Sequence, residues 1–162
     1  DLWHCKALIK ASGTHRYRRI FLSRAKAGKR KLVNEQEIRS LLEKTGFEEI
    51  ICEELDLYEV AYILNNAEVV IGLHGAGLAN TIFCRPGTTI IELFGWHYSC
   101  EYWFIAESRG LNYAAVSCLG PDKTQGNWSD LRFKYSHQEI NAADIYIAHD
   151  HLETSLKSLG IL

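Results

Sequence analysis

The 162-residue chain contains no apolar run approaching the roughly 18 to 20 residues of a membrane-spanning helix, and its opening Asp1-Leu2-Trp3-His4-Cys5 is no signal peptide. A soluble chain is expected. It also lacks a starting methionine, from which a segment cut from a longer protein is expected. The five cysteines, Cys5, Cys52, Cys84, Cys100 and Cys118, are odd in number and include no Cys-x-x-Cys pair. A zinc cage and a disulfide framework are therefore not expected, and buried free thiols favour a reducing compartment. Three loop signatures are absent as well. Without Gly-x-x-x-x-Gly-Lys-Ser/Thr there is no nucleoside-triphosphatase loop; without Gly-x-Gly-x-x-Gly no standard dinucleotide fingerprint; without Gly-x-Ser-x-Gly no hydrolase elbow. Internal repeats and low-complexity segments are missing too.

What is present is the composition of one ordinary globular domain, 47% hydrophobic and 23% charged. The net charge of −2 hides an uneven distribution. Arg16, Arg18, Arg19, Arg24, Lys26, Lys29, Arg30 and Lys31 follow one another with no acidic residue among them. A short basic stretch on an otherwise acidic domain suits a small anionic ligand better than a nucleic-acid track, and no nucleic-acid partner is expected. The same stretch is also compatible with a solvated loop.

Along the chain, Leu2 to Ala11 reads as a helix or linker, Ser12-Gly13-Thr14 as a loop, and Tyr17 to Ser23 as a strand running into the basic loop. Asn34 suits a helix N-cap, with Glu37 three residues on and Ile38, Leu41 and Leu42 as the apolar stripe before Gly46. Phe47 to Cys52 reads as a strand, and Asp56 caps a helix through Asn66 with Leu57, Val60, Ala61 and Leu64 at helical spacing. Val69 to Leu73 is a buried strand, followed by a glycine turn and a short helix from about Ala76 to Phe83. After Pro86-Gly87 come a strand over Thr88 to Phe94, a helix over Tyr98 to Arg109 stopped by Gly110, and a strand over Tyr113 to Ser117. Leu119 to Ser136, with Gly120-Pro121 and Gly126-Asn127, reads as an ordered loop. Ile145 to Ala148 reads as a last strand, and Asp150 as the cap of a helix through Leu159. This alternation predicts an α/β domain, a Rossmann-like open parallel sheet with helices on both faces.

In that topology the loops after the first, third and fourth strands share one rim, which gathers Ser23 and Arg24, the His74 turn, and Glu92. A helix N-terminus offers an anion about 0.3 to 1 kcal/mol, and a charge-assisted arginine bond roughly 1.5 to 3. The amides of Gly75, Ala76 and Gly77 thus need Arg24, with Arg30 as a second cation, to hold a diphosphate. His74, ahead of a helix start, is expected neutral, either touching ligand, acting as a base, or tying the turn together. Glu92 is read as a ribose acceptor or loop support, the alternative being a carboxylate on backbone amides. Asn80 either braces the turn or meets ligand. His149-Asp150-His151 is read as a helix cap rather than a metal site, since adjacent histidines do not share a face. Trp103 is expected in the core, and Trp96 and Tyr98 are candidates for lining a cleft.

Ser23-Arg24, Arg30, Asn34-Glu35, His74-Gly75-Ala76-Gly77-Leu78-Ala79-Asn80, Pro86-Gly87 and Glu92-Leu93, in that order and spacing, resemble glycosyltransferase family 61. The resemblance covers roughly Arg18 to Ser117, and its most specific piece is the His74 to Asn80 run. It implies that residues 1–162 form one nucleotide-sugar-binding domain, the C-terminal half of a two-domain, B-type enzyme whose N-terminal domain is a partner in the same polypeptide. It implies inverting transfer from a nucleotide sugar, a UDP sugar by analogy, to a hydroxyl of a glycan, polysaccharide or glycoprotein. It implies no metal and no cofactor beyond the donor, with Arg24 and His74 as catalytic residues. Bacterial members of the family would work in the cytoplasm, eukaryotic ones in the ER or Golgi lumen. The residues also leave open a non-catalytic nucleotide- or glycan-binding module, or another Rossmann-like nucleotide-dependent transferase.

Overall fold

The computed structural model describes residues 19–124 and 128–162. The expectations for Leu2 to Ala11, Ser12-Gly13-Thr14, Cys5, Arg16, Arg18 and Gly126-Asn127 lie outside these residues. Five strands form one sheet: β1 (Arg19–Leu22), β2 (Glu48–Ile50), β3 (Val69–Leu73), β4 (Thr89–Phe94) and β5 (Asn112–Ser117). All pairs are parallel and the order is β2-β1-β3-β4-β5. The chain builds outward from β1 to β2, then crosses back to continue from β3, so the winding reverses between β1 and β3. A doubly wound sheet opens a crevice beyond the carboxyl ends of its strands at such a point.

Six α-helices accompany the sheet: α1 (Glu35–Lys44), α2 (Leu57–Asn65), α3 (Glu101–Arg109), α4 (Trp128–Lys134), α5 (His137–Ala142) and α6 (His149–Ser158). The period-two alternation of β1 sorts them by face. Phe21 points with Ile71, Ile91 and Leu93 toward Ile38, Leu41 and Leu42 of α1 and Leu152 and Leu156 of α6. Ile20 and Leu22 point with Val70 and Ile90 to the other side, against Val60, Ile63 and Leu64 of α2, Leu78, and Tyr102 and Ala106 of α3. Each fully buried aliphatic side chain stabilises the fold by roughly 1.5–3 kcal/mol. Both faces are covered, so the Rossmann-like α/β architecture is as expected. No helix among the described residues is long and apolar enough to cross a membrane.

Helix ends follow local chemistry. Asp56 accepts from the Glu59 amide at 2.8 Å while Glu59 accepts from the Asp56 amide at 2.9 Å, a reciprocal capping box on α2. Gly110 ends α3 in the left-handed conformation.

The short helix over Ala76–Phe83 has the expected bounds and is of the 3-10 type. There Asn80 donates to Gly77 O at 3.1 Å and Thr81 to Leu78 O at 2.7 Å, side-chain bonds to the third residue back that suit the tighter winding. Several local expectations are corrected. Asn34 sits ahead of α1 without bonding its amides; its side chain instead donates to Glu37 and to Ile147 O, both at 2.8 Å. Leu119 to Ser136 holds a helix, α4, and α5 follows from a capping box between Ser136 and Glu139. Ile145 to Ala148 is no strand, since only single bridges join Ile145 to Leu32 and Tyr146 to Leu119. Ala148, not Asp150, occupies the N-cap of α6.

Candidate functional site

The carboxyl ends of β1, β3 and β4 deliver three short segments to the crevice. From β1 the chain enters a tight turn. Ser23 is buried, accepts from the Ala25 amide at 3.2 Å and donates to Glu35 at 3.4 Å. Its hydroxyl shapes the loop that carries Arg24. The Arg24 guanidinium is half-buried, donates to Lys29 O at 3.1 Å, and packs directly on the Gly75 α-carbon. A Cβ on Gly75 would overlap it, and Gly75 has φ +156 and ψ 173, a region nearly closed to other residues. Gly75 is thus required twice.

Arg30 lies close by with φ +56, its amide bonded to Ala142 O at 3.3 Å. Burial, then the charge of Arg30, push the Arg24 pKa down, with Glu53 and Tyr102 opposing. Arg24 Nε and Arg30 Nε are both buried without a hydrogen-bond partner among the described residues, and neither guanidinium forms an ion pair there. Two other cations of the basic stretch differ: Arg19 donates to Thr45 O at 2.6 Å, and Lys26 pairs with Glu54.

From β3, His74 is fixed at both ends. Its amide donates to Leu93 O at 2.7 Å, and its ring, 2% exposed, lies edge-on to Tyr102 and His97 at 5.1 and 4.7 Å. Nδ1 bonds to Glu92, and Nε2 faces Ser99 Oγ at 3.4 Å. The first bond of the following 3-10 helix runs from the Leu78 amide to Gly75 O at 2.9 Å, so the Ala76 and Gly77 amides precede it and start no turn of their own.

Glu92 sits behind the His74 turn. It is wholly buried, one oxygen bonded to His74 and the other accepting from the Tyr113 hydroxyl. With a bond on each oxygen it supports the loop, and no backbone amide among the described residues is bonded to it. Burial, then the bond to Glu92, push the Tyr113 pKa up.

The structure therefore brings together Ser23, Arg24, Arg30, His74, Gly75, Ala76 and Gly77, with Glu92 behind them. Asn80 braces the turn through Gly77 O. Trp96 is buried against Gly120 and Tyr135, in a small cluster with Leu131 and Ile140, and borders a separate hollow with Pro121, Asp122 and Glu139 in which neither Arg24 nor His74 takes part. Trp103, expected in the core, is 42% exposed beside exposed Phe104. Tyr98 is exposed and meets Phe94.

His149 and Asp150 of α6 gain Glu153 as a neighbour, their ligand atoms lying within 4.8 Å of one another. Asp150 is exposed and His149 and Glu153 are half-buried, and exposed acidic groups are common without an ion. The described cysteines, Cys52, Cys84, Cys100 and Cys118, are all free. Burial pushes the Cys84 and Cys118 thiols up to about 12.

The sequence profile of the family described as Glycosyltransferase 61 matches residues 4–91, more than half of the chain and the whole of the Arg24, Arg30 and His74 segments. The chain belongs to glycosyltransferase family 61. Among its relatives, an alpha-1,3-arabinosyltransferase of Oryza sativa subsp. japonica is 33% identical over 103 residues, covering 59% of this chain and 18% of the relative. A beta-1,2-xylosyltransferase of the same organism is 34% identical over 82 residues, 50% of this chain and 14% of the relative. An EGF domain-specific O-linked N-acetylglucosamine transferase of Gallus gallus is 31% identical over 93 residues, 52% and 17%. The matched segment spans under a fifth of each of these family 61 proteins.

Two residues at this crevice, His97 and Ser99, and one behind it, Tyr113, carry no local signal in the sequence. His97 and Ser99 sit in the aromatic segment after β4, whose neighbours Trp96 and Tyr98 drew attention instead. Tyr113 lies on the edge strand β5, opposite Ile90 in register, and nothing local marks its hydroxyl as bound for Glu92.

Proposed function

We propose that this chain is the donor-binding part of an inverting glycosyltransferase, in which the crevice holds the diphosphate of a nucleotide sugar, with UDP as the nucleotide. The observation that carries this reading is the pair Arg24 and Arg30. Two like-charged, partly buried guanidinium groups that form no ion pair among the described residues stand at the point where the sheet order reverses, and one rests on the Gly75 backbone. A bound diphosphate removes their repulsion and supplies acceptors for their N–H groups, at roughly 1.5–3 kcal/mol per charge-assisted bond. The Ala76 and Gly77 amides add neutral donors.

The chemistry follows from that placement. An acceptor hydroxyl oxygen attacks the anomeric carbon from the face opposite the diphosphate, the bond from that carbon to the phosphate oxygen breaks, and the nucleoside diphosphate departs with the electron pair. Arg24 and Arg30 neutralise the charge that develops on it, which is the service a divalent metal would otherwise perform. His74 reaches the donor through Nε2, in the position where Ser99 now sits. The proton of the attacking hydroxyl leaves to a base on the acceptor side, contributed by an N-terminal domain of the same polypeptide. The acceptor is a hydroxyl of a glycan, polysaccharide or glycoprotein.

A thermal-shift series with UDP, GDP, CMP and NAD tests the reading. A ligand at about 100 times its Kd stabilises by about 2.7 kcal/mol, about 5 to 10 °C for a chain of this size. UDP is expected to give such a shift, which Arg24→Ala abolishes and His74→Ala reduces. A shift with NAD alone overturns the proposal.

A further inference from the structure

The family 61 site leaves one buried ionisable group without a role of its own. Glu92 is fully buried, touches neither Arg24 nor Arg30 by any hydrogen bond or ion pair among the described residues, and lies between His74 and Tyr113. An ionised carboxylate only accepts hydrogen bonds. The imidazole nitrogen facing it must then carry the proton, which is Nδ1. The phenol on the other oxygen must donate as well, and its hydroxyl has one proton to give. Tyr113 thus has its proton committed to Glu92, and Glu92 has both oxygens committed.

The opposite edge of the ring is arranged differently. His74 Nε2 faces Ser99 Oγ at 3.4 Å, a long contact, while the Ser99 hydroxyl donates to Glu101 at the exposed start of α3. With its proton given to Glu101, Ser99 offers Nε2 no donor, and the 3.4 Å contact is too long to fix that nitrogen. The inner side of the imidazole is held tightly and the outer side loosely. Tyr102 and His97, edge-on to the ring, resist its rotation.

We propose that Glu92 and Tyr113 are positioning residues that fix His74 in the Nδ1–H tautomer and so leave Nε2 as the only ring atom presented to the crevice. Tyr113 touches nothing in the crevice and acts two bonds away, from the edge strand β5. Carboxylate-oriented histidines are set in this way in many sites, because the bond made by one ring nitrogen decides what the other can do. The use of Nε2 toward a donor rests on the proposed function; the tautomer assignment does not.

The experiment is long-range proton–nitrogen NMR on the histidine-labelled chain, followed by UDP titration. Wild type is expected to show His74 with a proton on Nδ1. In Glu92→Gln the carboxamide can either accept from or donate to the ring, so a second population with Nε2–H is expected. Tyr113→Phe retains the carboxylate with one partner fewer; the His74 resonances are expected to move although the ring is untouched, and UDP binding to weaken about three- to tenfold, the loss of one indirect hydrogen bond. A wild-type His74 lacking a proton on Nδ1 overturns the proposal, as do His74 signals that Tyr113→Phe leaves in place. If wild type binds no UDP, the donor reading fails while the tautomer still decides the positioning role.

Discussion

Arg39 and Arg24 are both partly buried arginines, yet they illustrate opposite uses of one side chain. Arg39 on α1 meets Glu35 at 3.1 Å and Glu49 at 2.8 Å, joining the helix to β2. Arg24 meets a carbonyl, a glycine and a second arginine. The first arrangement pairs the charge with two carboxylates, although Arg39 Nε, like Arg24 Nε, has no hydrogen-bond partner among the described residues. The second leaves charge unspent at a crevice, which is how a site for an anion differs from a salt bridge. Arg85, at the other end of the strands, donates instead to the neutral side chains of Asn65 at 3.0 Å and Asn66 at 3.2 Å.

The largest expected effect comes from removing the space that Arg24 occupies. Gly75→Ala places a methyl group into the guanidinium and forces a side chain into a backbone region that only glycine tolerates. Strain and overpacking each cost about 1–3 kcal/mol. The melting temperature of the chain should fall by about 5 °C or more, and UDP should no longer stabilise it. An unchanged melting temperature would show that Arg24 moves aside freely, and the crevice would lose its second wall.

Next in size is the pair of substitutions that tests the comparison directly. Arg24→Ala should weaken UDP binding about 10- to 100-fold, the loss of one charge-assisted contact, without lowering the stability of the free chain. Arg39→Ala should do the reverse: binding unchanged, stability lower by up to about 1 kcal/mol, because half-exposed ion pairs contribute little. Titration calorimetry and thermal melts of the two variants separate these outcomes. Equal losses of stability in both would mean that Arg24 too is structural.

The comparison also shows why some of this was legible in the chain and some was not. The strands, the helices α1, α2, α3 and α6 and the gathering of Arg24 with the His74 turn follow from periodicity and from the rule that parallel strands share a rim. The motif His74 to Asn80 carried the family. Arg24 and Arg39 look alike in sequence, and only the carboxylates brought by α1 and β2 tell them apart. The bond between Glu92 and Tyr113 was not legible because Tyr113 is on another strand, joined through sheet register rather than spacing. Trp96 and Trp103 exchanged roles because α4 and α5, short and largely polar, could not be seen as a surface for Trp96 to pack on. Without them, an aromatic next to a strand end looks free.

The smallest expected effect concerns His97, which shares the crevice with Arg30. Burial first, then His74 and Arg30, hold its pKa below the usual 6.5, with Asn141 and Glu101 opposing. The unfolded chain therefore binds the His97 proton at a higher pH than the folded chain does. Between the lowered folded value and 6.5 the unfolded state carries more protons, so stability rises with pH through this window and is complete above it. Melting temperatures over the weakly acidic range should show that slope, and His97→Gln should flatten it. The depressed carboxyl of Glu101 acts lower, below its usual 4.5, and does not obscure the window. A bound diphosphate sharpens the test. By neutralising Arg30 it removes one of the charges that hold the imidazole unprotonated, so saturating UDP should make the wild-type slope shallower. A slope that UDP leaves unchanged would place the anion away from Arg30 and leave Arg24 as the single cation of the site.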